Sequence, residues 1–207
     1  SDRSLNSMSD AFGEVMRDIS RIMRNAYGAA SVAVVPGGGT YGMEAIARQF
    51  ANDARVLVIR NGWFSYRWSQ IMEAGKLASH TTVLAASQSD DSTDAPFAPC
   101  PLEDILERIR AEKPDVVFCP HVETSAGMMM PDNFIRAVTR CVHEHGGIFV
   151  LDCVASGTVF VNLEETGVDV LLTAPQKGWS ASPCAALVMM SPHGRARLDE
   201  TTSSSFA

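Results

Sequence analysis

Short apolar segments alternate with amphipathic segments along most of the sequence, and this alternation limits the folds available to the chain. Apolar runs bounded by turn residues predict strands, and apolar residues spaced three or four positions apart predict helices. Strands that alternate with helices predict crossover connections, which give a mainly parallel sheet covered on both faces. The predicted fold class is therefore α/β, a three-layer α/β/α sandwich.

The predicted elements follow this rhythm as far as Leu172. A first helix has apolar residues from Phe12 to Met23, with Ser9 or Asp10 as its cap. Further helices are predicted at Tyr41–Ala51, Phe64–Ala74, Leu102–Glu112 and about Asp132–His145. Strands are predicted at Val32–Val35, Val56–Ile59, Thr82–Ala85, Val116–Cys119, Ile148–Leu151 and Val168–Leu172, and a surface loop at Ser87–Asp94.

The run Ala185–Met190 departs from the rhythm. About eleven residues separate it from Thr173, too few for a crossover with its own helix. This run is therefore predicted to be the one antiparallel strand. The predicted division of the chain is an N-terminal helical segment at 1–30, a large domain at 31–200, and a disordered tail or truncation point at 201–207.

Composition excludes several classes of protein. The 207 residues are 46% hydrophobic with a net charge of -7, which argues against disorder and against a general nucleic-acid binder. The strongest apolar stretch, Ile148–Val161, is too short to span a membrane and contains Asp152. Five scattered cysteines without a CxxC pair, and an N-terminus without a signal-peptide pattern, favour a cytoplasmic protein.

A glycine-rich turn, Pro36-Gly37-Gly38-Gly39-Thr40, lies between a predicted strand and a predicted helix. Glycines there let the backbone approach a ligand, and the helix N-terminus attracts anions, most often phosphate. The plainer interpretation is a tight turn. Gly37, Gly39 and Gly42 also match the GxGxxG dinucleotide pattern, but Arg60-Asn61 stands where a ribose-binding carboxylate is expected. No lysine follows the glycines, which excludes a P-loop.

Lys177 is one of only three lysines and follows the apolar strand Val168–Leu172. The carboxyl ends of strands are where α/β sheets hold their active sites. Partial burial there is expected to make the amine nucleophilic, as Schiff-base chemistry requires. A surface lysine on a loop explains the position equally well.

Asp152 directly follows the apolar strand Ile148–Leu151, where desolvation is costly unless the carboxylate has a partner. That partner is a metal, a ribose or a protonated ring nitrogen. No metal site is predicted, since His143 and His145 are two positions apart on a helix and do not share a face. His121, with Glu123, is a weaker candidate for the edge of the site. A phosphate site, a lysine and a buried aspartate at one sheet edge are what pyridoxal phosphate needs.

Five motifs in order carry a family resemblance between about Val35 and Ser191. The chain resembles the class V aminotransferases among the fold-type I pyridoxal-phosphate enzymes, most of all the alanine/serine–glyoxylate group. The motifs are Gly37-Gly38-Gly39-Thr40-Tyr41-Gly42-Met43-Glu44-Ala45, Asn61-Gly62-Trp63-Phe64-Ser65-Tyr66-Arg67, His121-Val122-Glu123-Thr124-Ser125-Ala126-Gly127, Leu151-Asp152-Cys153-Val154-Ala155-Ser156, and Gln176-Lys177-Gly178-Trp179-Ser180-Ala181-Ser182-Pro183.

The resemblance implies a role for each matching residue. Lys177 corresponds to the Schiff-base lysine, which also moves the proton, and Asp152 to the partner of the pyridinium nitrogen. Phe64 corresponds to the aromatic that stacks on the ring, and Thr124 lies on the side of its hydroxyl. The residues expected at the phosphate are Gly38, Gly39, Thr40 and Gln176.

The implied function is transfer of an amino group from a small amino acid to a 2-oxo acid such as glyoxylate or pyruvate. The alternatives are a lyase or desulfurase of the same fold, a dinucleotide-dependent oxidoreductase, and a binding domain without catalysis. Lyases and desulfurases often have histidine where Gln176 stands. The resemblance also implies a homodimer, and a C-terminal domain carrying the substrate-binding arginine that this chain lacks.

Overall fold

The computed structural model describes residues 4–201 and residue 203. The helices of this part of the chain are α1 Asp10–Tyr27, α2 Gly39–Phe50, α3 Trp63–Gly75, α4 Leu102–Glu112, α5 Asp132–His143, α6 Leu163–Thr166, α7 Pro175–Gly178 and α8 Pro192–Glu200, with a 3₁₀ turn at Thr124–Ala126. The strands are β1 Ser31–Pro36, β2 Arg55–Arg60, β3 His80–Ala85, β4 Ser87–Gln88, β5 Phe97–Ala98, β6 Val116–Pro120, β7 Val122–Glu123, β8 Met128–Met129, β9 Ile148–Asp152, β10 Val170–Thr173 and β11 Ala185–Met190.

Seven strands form the main sheet, in the order β1-β11-β10-β9-β6-β2-β3. The five strands from β10 to β3 in this order are parallel to one another. Strand β11 pairs antiparallel with both β1 and β10. The predicted mainly parallel α/β sheet with one antiparallel strand is therefore confirmed.

Helices cover both faces of this sheet because the central strands are apolar on both sides. Phe149 and Leu151 of β9 pack in one core cluster, together with residues of α1, α4 and α5. Ile148 and Val150 of the same strand pack in a second cluster with α2 and α3. Alternate residues of one strand thus face two different helical layers, which gives the predicted three layers.

Helix α1 begins and ends where the sequence predicts. The Ser9 hydroxyl accepts a hydrogen bond from the Phe12 amide at 3.2 Å, and Gly28 ends the helix in the left-handed region with φ 61°. Met23 and Tyr27 are buried against the sheet. The amphipathic pattern of this segment therefore attaches it to the sheet.

Four short features differ from the predicted pattern. The predicted loop at Ser87–Asp94 begins with β4, which pairs with β5 in a small hairpin. A one-turn helix, α7, occupies part of the irregular segment before β11, and Pro175 suits its first turn. Helices α6 and α8 are too short or too polar to produce a clear apolar period. Of the predicted tail at 201–207, all but Thr201 and Ser203 lie outside the described residues.

The strand order contradicts the dinucleotide alternative. In dinucleotide-binding folds the glycine-rich turn follows a central strand of a parallel sheet. Here the turn follows β1, which lies at the sheet edge and has an antiparallel neighbour. In the described part of the chain, no helix is long and apolar enough to cross a membrane.

Gly42 belongs to the close contact between α2 and the sheet. A Cβ at this position would lie 2.5 Å from both Ala186 Cβ and Leu172 Cδ1. We expect Gly42→Ala to lower the free energy of unfolding by about 1–3 kcal/mol, because the helix must move off the sheet. Chemical denaturation of the variant measures this loss.

Gly13→Ala is the matched control. Gly13 lies in α1, and an added Cβ would meet only the flexible end of Arg17 at 3.2 Å. This substitution should stabilise the chain by about 0.5–1 kcal/mol through helix propensity. Equal effects at the two glycines would contradict the close contact at Gly42.

Candidate active site

A pocket of about 210 Å³ lies at the carboxyl ends of β6 and β9, beside the first turns of α2, α3 and α7. In α/β sheets, ligands bind at the carboxyl ends of the strands. Seven of the eight predicted site residues line it, and Gly38 lies next to it as the N-cap of α2. The pocket is lined by Gly39, Thr40, Met43, Phe64, Arg67, Pro120, Val122, Thr124, Asp152, Val154, Ala155, Gln176 and Lys177.

The first turn of α2 forms an anion cradle on one side of the pocket. Gly38 is extended and provides no capping side chain, so the first backbone N–H groups of the helix have no acceptor from a cap. A Cβ at Gly38 would meet nothing within 4 Å, whereas one at Gly39 would lie 3.1 Å from Val154. Amides and a partial positive charge at this helix end suit a phosphate group.

Arg67 adds a full positive charge to this cradle. Its Nη1 donates a hydrogen bond to Thr40 Oγ1 at 2.8 Å. No role was predicted for Arg67 from the sequence. Its spacing could have indicated one, since Arg67 lies three positions after Phe64 on α3 and therefore on the same helix face.

Asp152 ends β9 and is 9% exposed. Its Oδ1 accepts a hydrogen bond from the Val154 amide at 3.0 Å. Burial raises the pKa of Asp152 to about 6, and the negative charge of Glu123 acts in the same direction. No salt bridge to Asp152 is found among residues 4–201 and 203. A cation in the pocket would therefore favour the ionised carboxylate.

Lys177 lies on α7 at the rim of the pocket and is exposed. Of the two interpretations that the sequence left open for Lys177, partial burial is not found, because the residue is exposed on this one-turn helix. Its neighbour Gln176 has a buried side-chain Oε1 with no hydrogen-bond partner in the structure. An unsatisfied buried acceptor that belongs to the pocket lining indicates a ligand with a donor group.

Glu123 fixes the N-terminus of α3, which carries Phe64 into the pocket. This carboxylate is fully buried and accepts hydrogen bonds from the Phe64 and Ser65 amides and from the hydroxyls of Ser65 and Ser125, at 2.6–3.1 Å. Burial alone would raise the pKa of Glu123, but these hydrogen bonds outweigh it and hold the pKa below its usual range. Glu123 therefore positions the pocket wall.

His121 is placed behind the pocket. It is 2% exposed, and its Nδ1 lies 2.7 Å from Ser156 Oγ. Burial lowers the pKa of His121 below its ordinary value, so the neutral form is favoured. The weaker sequence candidate is thus a buried structural residue that does not line the pocket.

A wider depression of about 520 Å³ lies nearby, around Arg60, Trp63 and Tyr66. The Arg60 guanidinium lies 4.9 Å from the centre of the Tyr66 ring. This depression has no lysine and no carboxylate in its lining. The smaller pocket, which has a primary amine, a buried carboxyl group and an anion cradle, is therefore the candidate active site.

Comparisons with known proteins find curated relatives of the chain. A protein of Synechococcus sp. named soluble hydrogenase, small subunit, is 32% identical over 164 residues, which are 78% of this chain and 40% of that protein. The L-aspartate–glyoxylate aminotransferase of Paracoccus denitrificans is 28% identical over 197 residues, 91% of this chain and 47% of that protein. No family model matches the chain.

A solved structure extends the similarity to the fold. The aspartate aminotransferase of subgroup IV from Thermus thermophilus matches with a TM-score of 0.80 and 27% identity, over 99% of this chain and 55% of that chain. The chain spans about half the length of the curated relatives it matches. By sequence and by fold, the chain is thus similar to fold-type I aminotransferases, and it corresponds to about half of their length.

Proposed function

We propose that the chain is the cofactor-binding part of a pyridoxal-phosphate-dependent aminotransferase. The reaction would move an amino group from a small amino acid to a 2-oxo acid such as glyoxylate or pyruvate. One observation carries the proposal: a primary amine, a buried carboxyl group and a helix N-terminus share one pocket. The relative from Paracoccus denitrificans, whose name gives glyoxylate as acceptor, supports the choice of acceptor.

The residues present fit this cofactor. The unsatisfied Oε1 of Gln176 needs a donor, and the buried Asp152 carboxyl group is matched by a protonated ring nitrogen. The open space above Gly38 and the positive charge of Arg67 suit the phosphate group. Phe64 lines the same pocket and offers an aromatic face for stacking.

Each residue then has a separate task. Bound pyridoxal phosphate supplies an electron sink for the substrate amino acid. The Lys177 amine would hold the cofactor through its aldehyde group, and the same amine would take up the proton of the substrate Cα and return it later in the reaction. Asp152 would keep the ring nitrogen protonated, and the amides of Gly39 and Thr40 would bind the phosphate. Thr124 lies at the pocket edge, where its hydroxyl can orient the ring.

We also propose a cytoplasmic homodimer. All five cysteines are free, which suits a reducing compartment. Tyr41 and Trp63, in the first turns of α2 and α3, are 66% and 68% exposed. Large exposed aromatic side chains beside a pocket are typical of a subunit interface. A second subunit would then help to close the pocket.

The test uses the three lysines of the chain. Pyridoxal phosphate is added to the full chain, the visible spectrum is recorded, and the product is reduced with borohydride and mapped by peptide mass spectrometry. We expect a visible absorbance band, and a reduced adduct on Lys177. Lys177→Ala should abolish both, because no other amine lines the pocket in the described part of the chain.

Lys113→Arg serves as the matched control. Lys113 ends α4, away from the pocket, and the substitution keeps its charge. This variant should give the same band and the same adduct as the original chain. An adduct on Lys76 or Lys113, or a band that survives Lys177→Ala, would contradict the proposed function.

A further inference from the structure

A second polar cluster lies on the other side of the molecule, at the amino ends of the strands. His143 ends α5, Asp169 directly precedes β10, and His193 lies in the first turn of α8. The candidate active site is at the carboxyl ends of the strands, whereas this cluster is at the amino end of β10. The proposed aminotransferase reaction therefore does not use it. No metal site was predicted at His143 from the sequence, because its two partners here, Asp169 and His193, are distant in the sequence.

The buried carboxylate of Asp169 is the centre of this His143–Asp169–His193 cluster. It is 1% exposed, with His143 Nε2 2.8 Å from Oδ2 and His193 Nδ1 2.9 Å from Oδ1. The two imidazole rings are 5.2 Å apart and nearly perpendicular. One potential ligand atom from each residue lies within 4.8 Å of the other two.

The backbone around Asp169 holds the cluster in place. The Phe149 amide donates to Asp169 Oδ2 at 2.8 Å, and the Ser191 amide donates to the Asp169 carbonyl at 2.9 Å. Gly194 lets α8 approach closely, because a Cβ there would collide with the Asp169 carbonyl oxygen. A backbone hydrogen bond thus holds the buried Asp169 carboxylate in place, whereas the two histidine side chains are partly exposed.

The outer side of the cluster is open to water. The side chains of His143 and His193 are 35% and 47% exposed. Two imidazoles and one carboxylate form a donor set that suits divalent first-row transition metals, with water completing the coordination. Ligand atoms around zinc are about 3.3 Å apart, so the present nitrogen–oxygen distances require only a small outward movement of the histidines.

We propose that His143 Nε2, His193 Nδ1 and one Asp169 oxygen form a binding site for a divalent transition-metal ion, with zinc as its best-suited occupant. The ion would join α5, β10 and α8, which are distant in sequence. It would therefore stabilise this edge of the sheet without contact with the candidate active site.

The test measures zinc binding to the metal-stripped full chain by isothermal titration calorimetry. The titration is done at about pH 8, because the imidazoles must lose their protons to bind the ion. We expect one zinc ion per chain and an increase in the melting temperature. His143→Ala and His193→Ala should each weaken binding at least about tenfold. Both residues are partly exposed, so these variants are expected to fold, whereas Asp169 variants lose several buried hydrogen bonds.

His80→Ala is the matched control, because His80 is exposed and lies on the edge strand β3. It should bind zinc as tightly as the original chain. Binding that is unchanged in both the His143 and His193 variants would place the ion elsewhere. Absence of binding would make the cluster a set of hydrogen bonds only, and either result would overturn the proposal.

Discussion

Asp152→Asn is expected to stabilise the cofactor-free chain at pH 7.5 by up to about 3 kcal/mol. The pKa of this carboxyl group rises from its ordinary value of 3.8 to about 6 because burial disfavours the charged form. The folded chain therefore holds the proton more tightly than the unfolded chain does. Stability falls as the pH rises from about 4 to about 6, and the loss persists above this range.

Urea denaturation at pH 4 and at pH 7.5 checks this expectation. The variant should differ little from the original chain at pH 4, where the carboxyl group is protonated in the folded state and only about half ionised in the unfolded state. The difference should appear at pH 7.5. Asp53→Asn, the same substitution at an exposed position, is the control. Equal effects of Asp152→Asn at the two pH values would refute the explanation.

The same substitution should impair binding of pyridoxal phosphate. An amide cannot neutralise a protonated ring nitrogen, and a hydrogen bond between charged groups contributes about 1.5–3 kcal/mol. We therefore expect the affinity to fall by about 10- to 100-fold in a spectroscopic titration. If Asp152→Asn makes the chain more stable but weakens cofactor binding, Asp152 is retained for binding and not for stability.

Glu123→Ala is expected to destabilise the chain by about 3–5 kcal/mol. The substitution leaves two amides of α3 and two serine hydroxyls without their buried acceptor. The first turn of α3 should loosen, and Phe64 with it. Chemical denaturation measures the loss of stability, and the intrinsic fluorescence of Trp63 reports the local change.

Glu103→Ala is the control for this substitution. Glu103 also lies in the first turn of a helix, α4, but it is exposed. Removal of its side chain should lower the free energy of unfolding by less than about 1 kcal/mol, as is usual for exposed charges near a helix N-terminus. The loss of stability in Glu123→Gln should lie between those of Glu123→Ala and Glu103→Ala, because glutamine keeps one acceptor oxygen. A small effect of Glu123→Ala would mean that water replaces the carboxylate.

The main elements were predictable because their signals are local. The apolar runs at Ile148–Leu151 and Val168–Leu172 predicted buried strands, and both are found with small changes at their ends. The short gap before Ala185 predicted the antiparallel strand from chain length alone. Helix α8 is polar, and its position depends on Asp169, so no local period indicated it.

The candidate site was predictable where a residue follows a strand. Asp152 and Lys177 meet in one pocket because β9 and β10 are parallel neighbours. Arg67 and Glu123 gain their roles from contacts with residues more than twenty positions away. The contacts themselves leave no local pattern in a single sequence, and only the spacing of Arg67 from Phe64 places it on the helix face that meets the pocket. The exposure of Lys177 likewise depends on α7, a one-turn helix that no local sequence pattern predicted.

The interior position of β11 has a consequence for synthesis on the ribosome. Of the strands that the structure describes, β1 emerges first, yet its neighbour in the sheet is β11, which emerges last. Until Met190 leaves the exit tunnel, both β1 and β10 expose an unpaired inner edge. Nascent chains of this protein therefore pass through a late stage in which chaperone capture competes with insertion of one strand.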